Sequence, residues 1–249
     1  RTHLWYMQRR EEIDGVDTKT RLNITVKGFT FKHAFRNYDS ASNYKGAVMV
    51  FNTDLDMQWC NFIQNGAAFI GTSGLTLIAS DANVSDCVFS ENFSSEKGTA
   101  LGLFTSSTYA GDEYLTQAVV QRCQFTDNYF TTDYYPESEC GEDGKPAYTN
   151  KLRGSAIFLG SSDERVRLYL VNSLVADNYT EGFGVVMGTQ PCDELEDDAQ
   201  KSGKHACTIE FDDNSSIVLT QKAWNQIIQA GLSVCGYKDK QAIRSINPA

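Results

Sequence analysis

The chain is poor in histidine, with only 3 in 249 residues: His3, His33 and His205. None stands in a metal-ligand spacing such as HExxH or HxH, so neither zinc chemistry nor His-based catalysis has a motif to rest on. Proline is scarce as well, at 4 residues beside 19 Gly, a composition that is neither disordered nor collagen-like. Positive charge is the minority sign, since 22 Lys+Arg against 32 Asp+Glu leave a net charge of −10. A nucleic-acid binder needs a basic footprint and an anionic membrane surface repels such a chain, which sets both partners aside. No stretch approaches the roughly 20 apolar residues of a membrane span. There is no initiator Met and no apolar signal segment, as expected of a mature or excised piece of a longer protein. GxSxG, P-loop and Rossmann glycine patterns are also missing.

What is present is a repeat. Cys60-Asn61-Phe62-Ile63-Gln64-Asn65 returns as Cys87-Val88-Phe89-Ser90-Glu91-Asn92 and as Cys123-Gln124-Phe125-Thr126-Asp127-Asn128. Ser173-Leu174-Val175-Ala176-Asp177-Asn178 is a degenerate copy, Phe29–Ala34 an earlier one and Ile209–Asn214 a last one. Between Phe31, Phe62, Phe89, Phe125, Val175 and Phe211 the steps are 31, 27, 36, 50 and 36 residues. Five residues before each of these lie Val26, Met57, Val84, Val120, Leu170 and Ala206, an apolar column of its own. A second signature alternates with the first: Gly46-Ala47-Val48, Gly66-Ala67-Ala68, Gly98-Thr99-Ala100, Gly154-Ser155-Ala156 and Gly182-Phe183-Gly184, each running into an apolar stretch. These stretches read as short strands bounded by Gly, Asn, Asp and Ser, without helical periodicity.

Short strands recurring at 27 to 50 residues with insertions of varied length suit a parallel β-helix, whose successive coils stack about 4.8 Å apart. The Phe column then fills the bore, and the Cys two residues earlier shares its face. The apolar column five residues earlier is out of phase with that alternation, so a bend must separate the two. The expected organisation is one all-β domain over 1–249: an N-terminal cap over about 1–21, about six coils over 22–219, and a C-terminal cap over 220–249. Helical spacing in 221–231 suggests a capping helix there, while Leu4, Trp5 and Tyr6 would cover the first coil.

The alternation of Gly46-Ala47-Val48, Gly98-Thr99-Ala100 and Gly154-Ser155-Ala156-Ile157 with Phe62/Asn65, Phe89/Asn92 and Phe125/Asn128 resembles the repeats of chlamydial polymorphic outer membrane proteins. It is similar, more widely, to right-handed β-helices of pectate-lyase-like architecture. The resemblance covers residues 22–219 and implies a surface-exposed or secreted protein used in adhesion or assembly.

Seven cysteines are an odd number. Cys60, Cys87 and Cys123 share one column and read as a buried stack of thiols, with a Cys60–Cys87 disulfide as the alternative. Cys140, Cys192, Cys207 and Cys235 fall in loops or near the C-terminus, and suggest two disulfides and an oxidising compartment. Cys192–Cys207 with Cys140–Cys235 is one of three connectivities. Sequons occur at Asn23, Asn83, Asn92, Asn178 and Asn214. The last three are also the Asn of the repeat, where an inward hydrogen-bonded ladder would exclude a glycan, so Asn23 and Asn83 are the preferred acceptors.

For chemistry, the register puts Asn23, Asp54, Asp81, Gln117 and Arg167 in one column, eight residues before the Phe position. Asp54 and Asp81 would then lie about 5 Å apart. A carboxylate pair at that distance can share a proton, bind Ca2+ or work in glycoside hydrolysis, but Asp is also an ordinary turn residue. Beyond such a Ca2+ no cofactor is called for. Gly28, Trp59, Asp86, Arg122 and Asn172 form a polar column facing water at the bend, where Trp59 is a candidate sugar or partner contact. The aromatic insertion with Tyr129, Tyr134 and Tyr135 is another partner-contact candidate. The expected function is therefore a non-catalytic structural or adhesive module of an extracellular glycoprotein assembly, whose partners are other copies or other proteins. The alternatives are a polysaccharide lyase or hydrolase using Asp54 and Asp81, and non-catalytic carbohydrate binding.

Overall fold

Alternating side-chain character over runs of only two to six residues, punctuated by polar bends, builds strands too short to stand alone, and each finds its hydrogen-bond partners in the preceding and following copies. The computed structural model describes residues 5–8, 12–13, 16–17, 21–36, 46–67, 72–94, 99–104, 115–130, 156–160, 166–180, 187–189, 207–211, 216–219 and 246–248. All regular elements among them are strands, and apart from one small antiparallel pair (Glu12–Ile13 with Val16–Asp17) they form four parallel sheets.

Each pass of the chain visits the sheets in a fixed order. The first sheet holds Trp5–Gln8, Val48–Phe51, Leu75–Ile78, Leu101–Phe104, Ile157–Gly160 and Met187–Thr189. The second holds Leu22–Lys27, Thr53–Gln58, Asp81–Ser85, Thr116–Gln121, Val166–Val171 and Cys207–Phe211. The third runs from Thr30–Lys32 through Asn61–Ile63, Val88–Ser90, Gln124–Thr126, Leu174–Ala176 and Ser216–Leu219 to Ile246–Pro248. The fourth is a ladder of two-residue strands, Phe35–Arg36, Gly66–Ala67, Phe93–Ser94, Tyr129–Phe130 and Tyr179–Thr180. This stacking is compatible with a solenoid.

The predicted columns are the observed registers. Phe31, Phe62, Phe89, Phe125 and Val175 are mutual partners, as are Val26, Met57, Val84, Val120 and Leu170. The rings of Phe62, Phe89 and Phe125 stack at 4.7 Å with 4° between planes, and Phe31 joins them at 4.9 Å. That distance is the inter-strand spacing itself, so the aromatic column is imposed by the backbone and lies within the hydrophobic core, where Phe62, Phe89 and Phe125 are fully buried. Trp5 sits edge-on to both Phe29 and Phe31, so it does cover the start of the stack, but as a member of the first sheet paired with Val48.

The bend between the Val and Phe columns is a residue in the left-handed region. Gly28, Trp59, Asp86, Arg122 and Asn172 all have φ between 45° and 71°. A second such column follows the third sheet at His33, Gln64, Glu91, Asp127 and Asp177, and a third follows the first sheet at Asn52 and Ala79. After most of these bends the next residue turns inward, and its N–H points along the stack to a side chain of the next pass; Phe29, after Gly28, instead stays 47% exposed. Asn65 receives the Ala34 N–H at 3.1 Å; Asn92, Asn128 and Asn178 then receive, in turn, both the N–H and the Nδ2–H of the Asn before them, at 2.8 to 3.1 Å. Each Nδ2 also donates to a Phe carbonyl one pass earlier, as from Asn128 to Phe89 at 3.0 Å. At the other bends the acceptors are Cys87 for the Cys60 N–H, Cys123 for that of Cys87, Ser173 for that of Cys123, and Ser80 for that of Thr53.

Several expectations need correction. Gly66-Ala67 is no copy of the second signature: it belongs to the fourth sheet, and the first-sheet strand of that pass is Leu75–Ile78. The sixth copy is out of register, because Phe211 pairs with Leu170 and Ile217 takes the Phe column beside Val175. The stack also continues through Ile246–Pro248, inside the segment assigned to a C-terminal cap. The capping helix expected over 221–231 lies outside the described residues.

Replacing Asn128 by Ala removes the acceptor of the Asn92 N–H and Nδ2–H and the Nδ2 donor to the Phe89 carbonyl, leaving Asn178 Oδ1 only the backbone N–H, and should cost about 3 kcal/mol or more. Cys123→Ser keeps a small acceptor in place, as Ser173 does one pass on, and should cost less than about 1 kcal/mol. Urea unfolding of the two variants measures the contrast, and equal losses would show that the ladder does not hold the passes together.

Candidate functional site

Outward positions of the second sheet carry the acidic column. Asp54 and Asp81 are direct partners across adjacent strands, with Asn23 before them and Gln117 and Arg167 after, as the spacing required. The pair does not face solvent unaccompanied. Arg21 Nη1 lies 3.2 Å from Asp54 Oδ1 and 2.6 Å from Asp81 Oδ2, while its Nη2 donates to the Leu115 carbonyl at 3.0 Å. One guanidinium therefore clamps two passes and reaches a third segment. Arg21 belongs to no repeat column visible in the sequence, because it precedes the first strand of this sheet and reaches sideways. Its side chain is 14% exposed, against 45% and 49% for the carboxylates.

Burial pushes the Asp81 carboxyl above the ordinary carboxylate range; Arg21 opposes the shift and the neighbouring Asp54 charge adds to it. Gln58 Nε2 donates to both oxygens of Asp56 at 2.9 and 3.0 Å, so that acid too is held by its neighbour. Among the described residues no group of three or more His, Cys, Asp and Glu side chains is placed to hold a metal ion.

At the bend beside this sheet, Trp59 is 59% exposed, with Lys27 Nζ 5.9 Å from its ring centroid. One pass on, Arg122 Nε and Nη2 grip Asp86 in a two-bond pair at 2.7 Å each, and the guanidinium holds the Asp86 carboxyl below its usual range. Across the third sheet, His33, Gln64 and Glu91 are linked by 2.8 Å contacts, and the column continues to Asp127, whose carboxyl is raised by burial and by the charges of Asp177 and Glu91.

The cysteine column is chemically quiet. Cys60, Cys87 and Cys123 are free and buried, so the alternative Cys60–Cys87 disulfide is not formed. Hydrogen bonding to Cys123, with burial behind it, pushes the Cys87 thiol up to about 12, and the thiol of Cys60 is raised further by its contact with Cys87. Cys60 and Cys87 are thus protonated packing groups, whereas the hydrogen bond with Cys87 holds the buried Cys123 thiol below its usual range.

Among the sequons, Asn92 and Asn178 are buried with both amide functions in use, so neither can carry a glycan. Asn23 and Asn83 are exposed on the second sheet. Tyr129 is no free loop residue: it lies in the fourth sheet with its ring stacked on Phe93 at 5.5 Å. Tyr134, Tyr135, Asn214, Cys140, Cys192 and Cys235 lie outside the described residues; Cys207 is placed only as the strand partner of Val166.

Arg21→Gln should cost about 1 kcal/mol at neutral pH, a modest figure because both carboxylates are half exposed. A carboxyl raised in the folded state favours folding at low pH, and that advantage is lost as pH rises through the folded value. Removing the cation that opposes the shift deepens the loss, so the cost of Arg21→Gln should grow from about pH 4 to neutrality. Denaturation midpoints across that range test it; a pH-independent difference would separate Arg21 from Asp81.

No protein-family model matches the chain, and the comparisons with curated proteins and with solved structures return no match either. The likeness to the chlamydial repeats thus rests on the two alternating signatures.

Proposed function

We propose that this chain is a non-catalytic structural or adhesive module, a right-handed parallel β-helix of about six coils in an extracellular glycoprotein assembly. The observation that carries the reading is the fate of its polar columns: Asn65, Asn92, Asn128 and Asn178 inside, and Asp54 with Asp81 outside, are spent on joining one pass to the next. Right-handedness is the sense that parallel crossover connections take. The remaining cysteines, Cys140, Cys192, Cys207 and Cys235, supply two disulfides in an oxidising compartment, and Asn23 and Asn83 carry glycans. Partners are other copies of the chain or other proteins of the assembly.

The competing reading, a polysaccharide lyase or hydrolase, is favoured by the raised Asp81 carboxyl beside Asp54. Wild-type chain assayed on a panel of acidic polysaccharides should show no turnover; turnover that vanishes in Asp54→Asn/Asp81→Asn would replace the structural reading with the enzymatic one. Glycopeptide mapping after expression in a eukaryotic secretory pathway should find glycans on Asn23 and Asn83 and none on Asn92 or Asn178. Occupancy at Asn92 or Asn178 would contradict the inward ladder.

A further inference from the structure

The first pass, residues 21–36, contains four cations, Arg21, Lys27, Lys32 and Arg36, and no carboxylate, in a chain whose net charge is −10. Lys27 and Lys32 both stand exposed at outward positions of Leu22–Lys27 and Thr30–Lys32. At the bend of the next pass Trp59 is 59% exposed with Lys27 Nζ 5.9 Å from its ring, and Phe29 is 47% exposed. The same outer strip offers neutral hydrogen-bonding groups: Asn61 Nδ2 meets Thr30 Oγ1 at 3.2 Å, and His33 Nε2 meets Gln64 Oε1 at 2.8 Å.

Trp59 is the unexpected member. Its φ of 54° is a conformation that Gly28 or Asp86 in the same column adopts at little cost, whereas a bulky side chain there costs about 1–2 kcal/mol. A strained backbone that holds an indole in water is a reason to look for a ligand.

We propose that this strip binds an anionic polysaccharide. A pyranose ring presents C–H groups on its face and stacks on an aromatic platform, the role of Trp59. Its hydroxyls match the amide and hydroxyl groups of Asn61 and Thr30. Its carboxylates or sulfates pair with Lys27 and Lys32, whose Cα atoms five residues of chain hold within about 18 Å of each other, inside the reach of a short oligosaccharide. Single-stranded nucleic acid, whose bases could also stack on an exposed indole, is the competing occupant that the test separates. Strand addition by a second copy is disfavoured, because exposed lysines on edge strands are what blunts such pairing. The inference rests on the adhesive half of the proposed function, but it concerns residues that the turnover and glycan-mapping experiments do not touch, so either can fail alone.

The test is binding of the full chain to heparin and to polygalacturonate, with dextran and a single-stranded DNA of matched charge as controls. Both anionic glycans should bind, more weakly as salt rises, and dextran should not. Lys27→Glu/Lys32→Glu should weaken binding at least about 10-fold at low salt, and Trp59→Ala about 5-fold with little change in salt dependence. Circular dichroism and thermal melts of both variants should match the wild type, as these side chains are exposed. Failure of either anionic glycan to bind, equal affinity for the DNA or the dextran, or full affinity in Trp59→Ala would overturn the proposal.

Discussion

The structure depends on satisfying one kind of donor. A bend through the left-handed region turns the next residue inward and takes its N–H out of the regular ladder between strands. Left alone in the interior, such a donor costs about 1–3 kcal/mol, and the described part of the chain has it at bend after bend. The solution is a side-chain acceptor supplied by the same position of the next pass, amide at one bend, thiol or hydroxyl at another, hydroxyl at the third. Because each acceptor serves its neighbour, the ladder also fixes register: a slip by one residue would lose both the acceptor and the inward aromatic.

The same device explains why the repeat tolerates insertions. Asn65 and Asn92 are separated by 27 residues, Asn128 and Asn178 by 50, yet their bonds agree within 0.1 Å, at 2.9 and 2.8 Å. Nearly doubling a loop costs only about 0.6 kcal/mol of closure entropy, less than one satisfied rung of the ladder returns. Extra chain therefore leaves the stack between strands without disturbing it. Gly66 shows a related tolerance in the fourth sheet. A Cβ there would come within 2.7 Å of the Phe35 ring, and without one Phe35 and Phe93 stack across the glycine at 6.0 Å.

What could be read in the sequence was whatever repeats with a fixed offset. The Phe, Val, Cys and Asn columns and the Asp54–Asp81 register all lie within eleven residues of one another along a single pass, so no insertion separates them. The first sheet was harder, because variable segments intervene; that is how Gly66-Ala67 was matched to it while the true strand was Leu75–Ile78. The last copy failed for a similar reason. Phe211 and Ile217 are six residues apart where the other copies place five, and the FxxN pattern drew the wrong one into the Phe column. Arg21 was invisible because its role is lateral: it occurs once, and only the fold brings it against Asp54, Asp81 and the Leu115 carbonyl. The bend column was legible as polar, but its left-handed backbone was hidden, since Trp59 and Arg122 are not residues that advertise such a conformation.

That last point separates scaffold from surface. Residues that conform to a column's requirement say only that the stack must close: Cys123 and Ser173 exchange freely because a small acceptor is all their position asks. Residues that break a column's requirement at some cost need another cause. Arg122 has one in its two-bond grip on Asp86, and Arg21 has one in the two carboxylates it joins across adjacent passes. Among the described residues Trp59 joins no aromatic stack and meets only a cation 5.9 Å from its ring, which by itself offsets about 0.5–1 kcal/mol at an exposed site. Against the cost of its backbone that contact is at best a match, and it leaves the exposed indole surface unexplained. The inward Asn, Cys and Phe columns are accounted for by folding, while the exposed indole of Trp59 is not accounted for by any contact among the described residues.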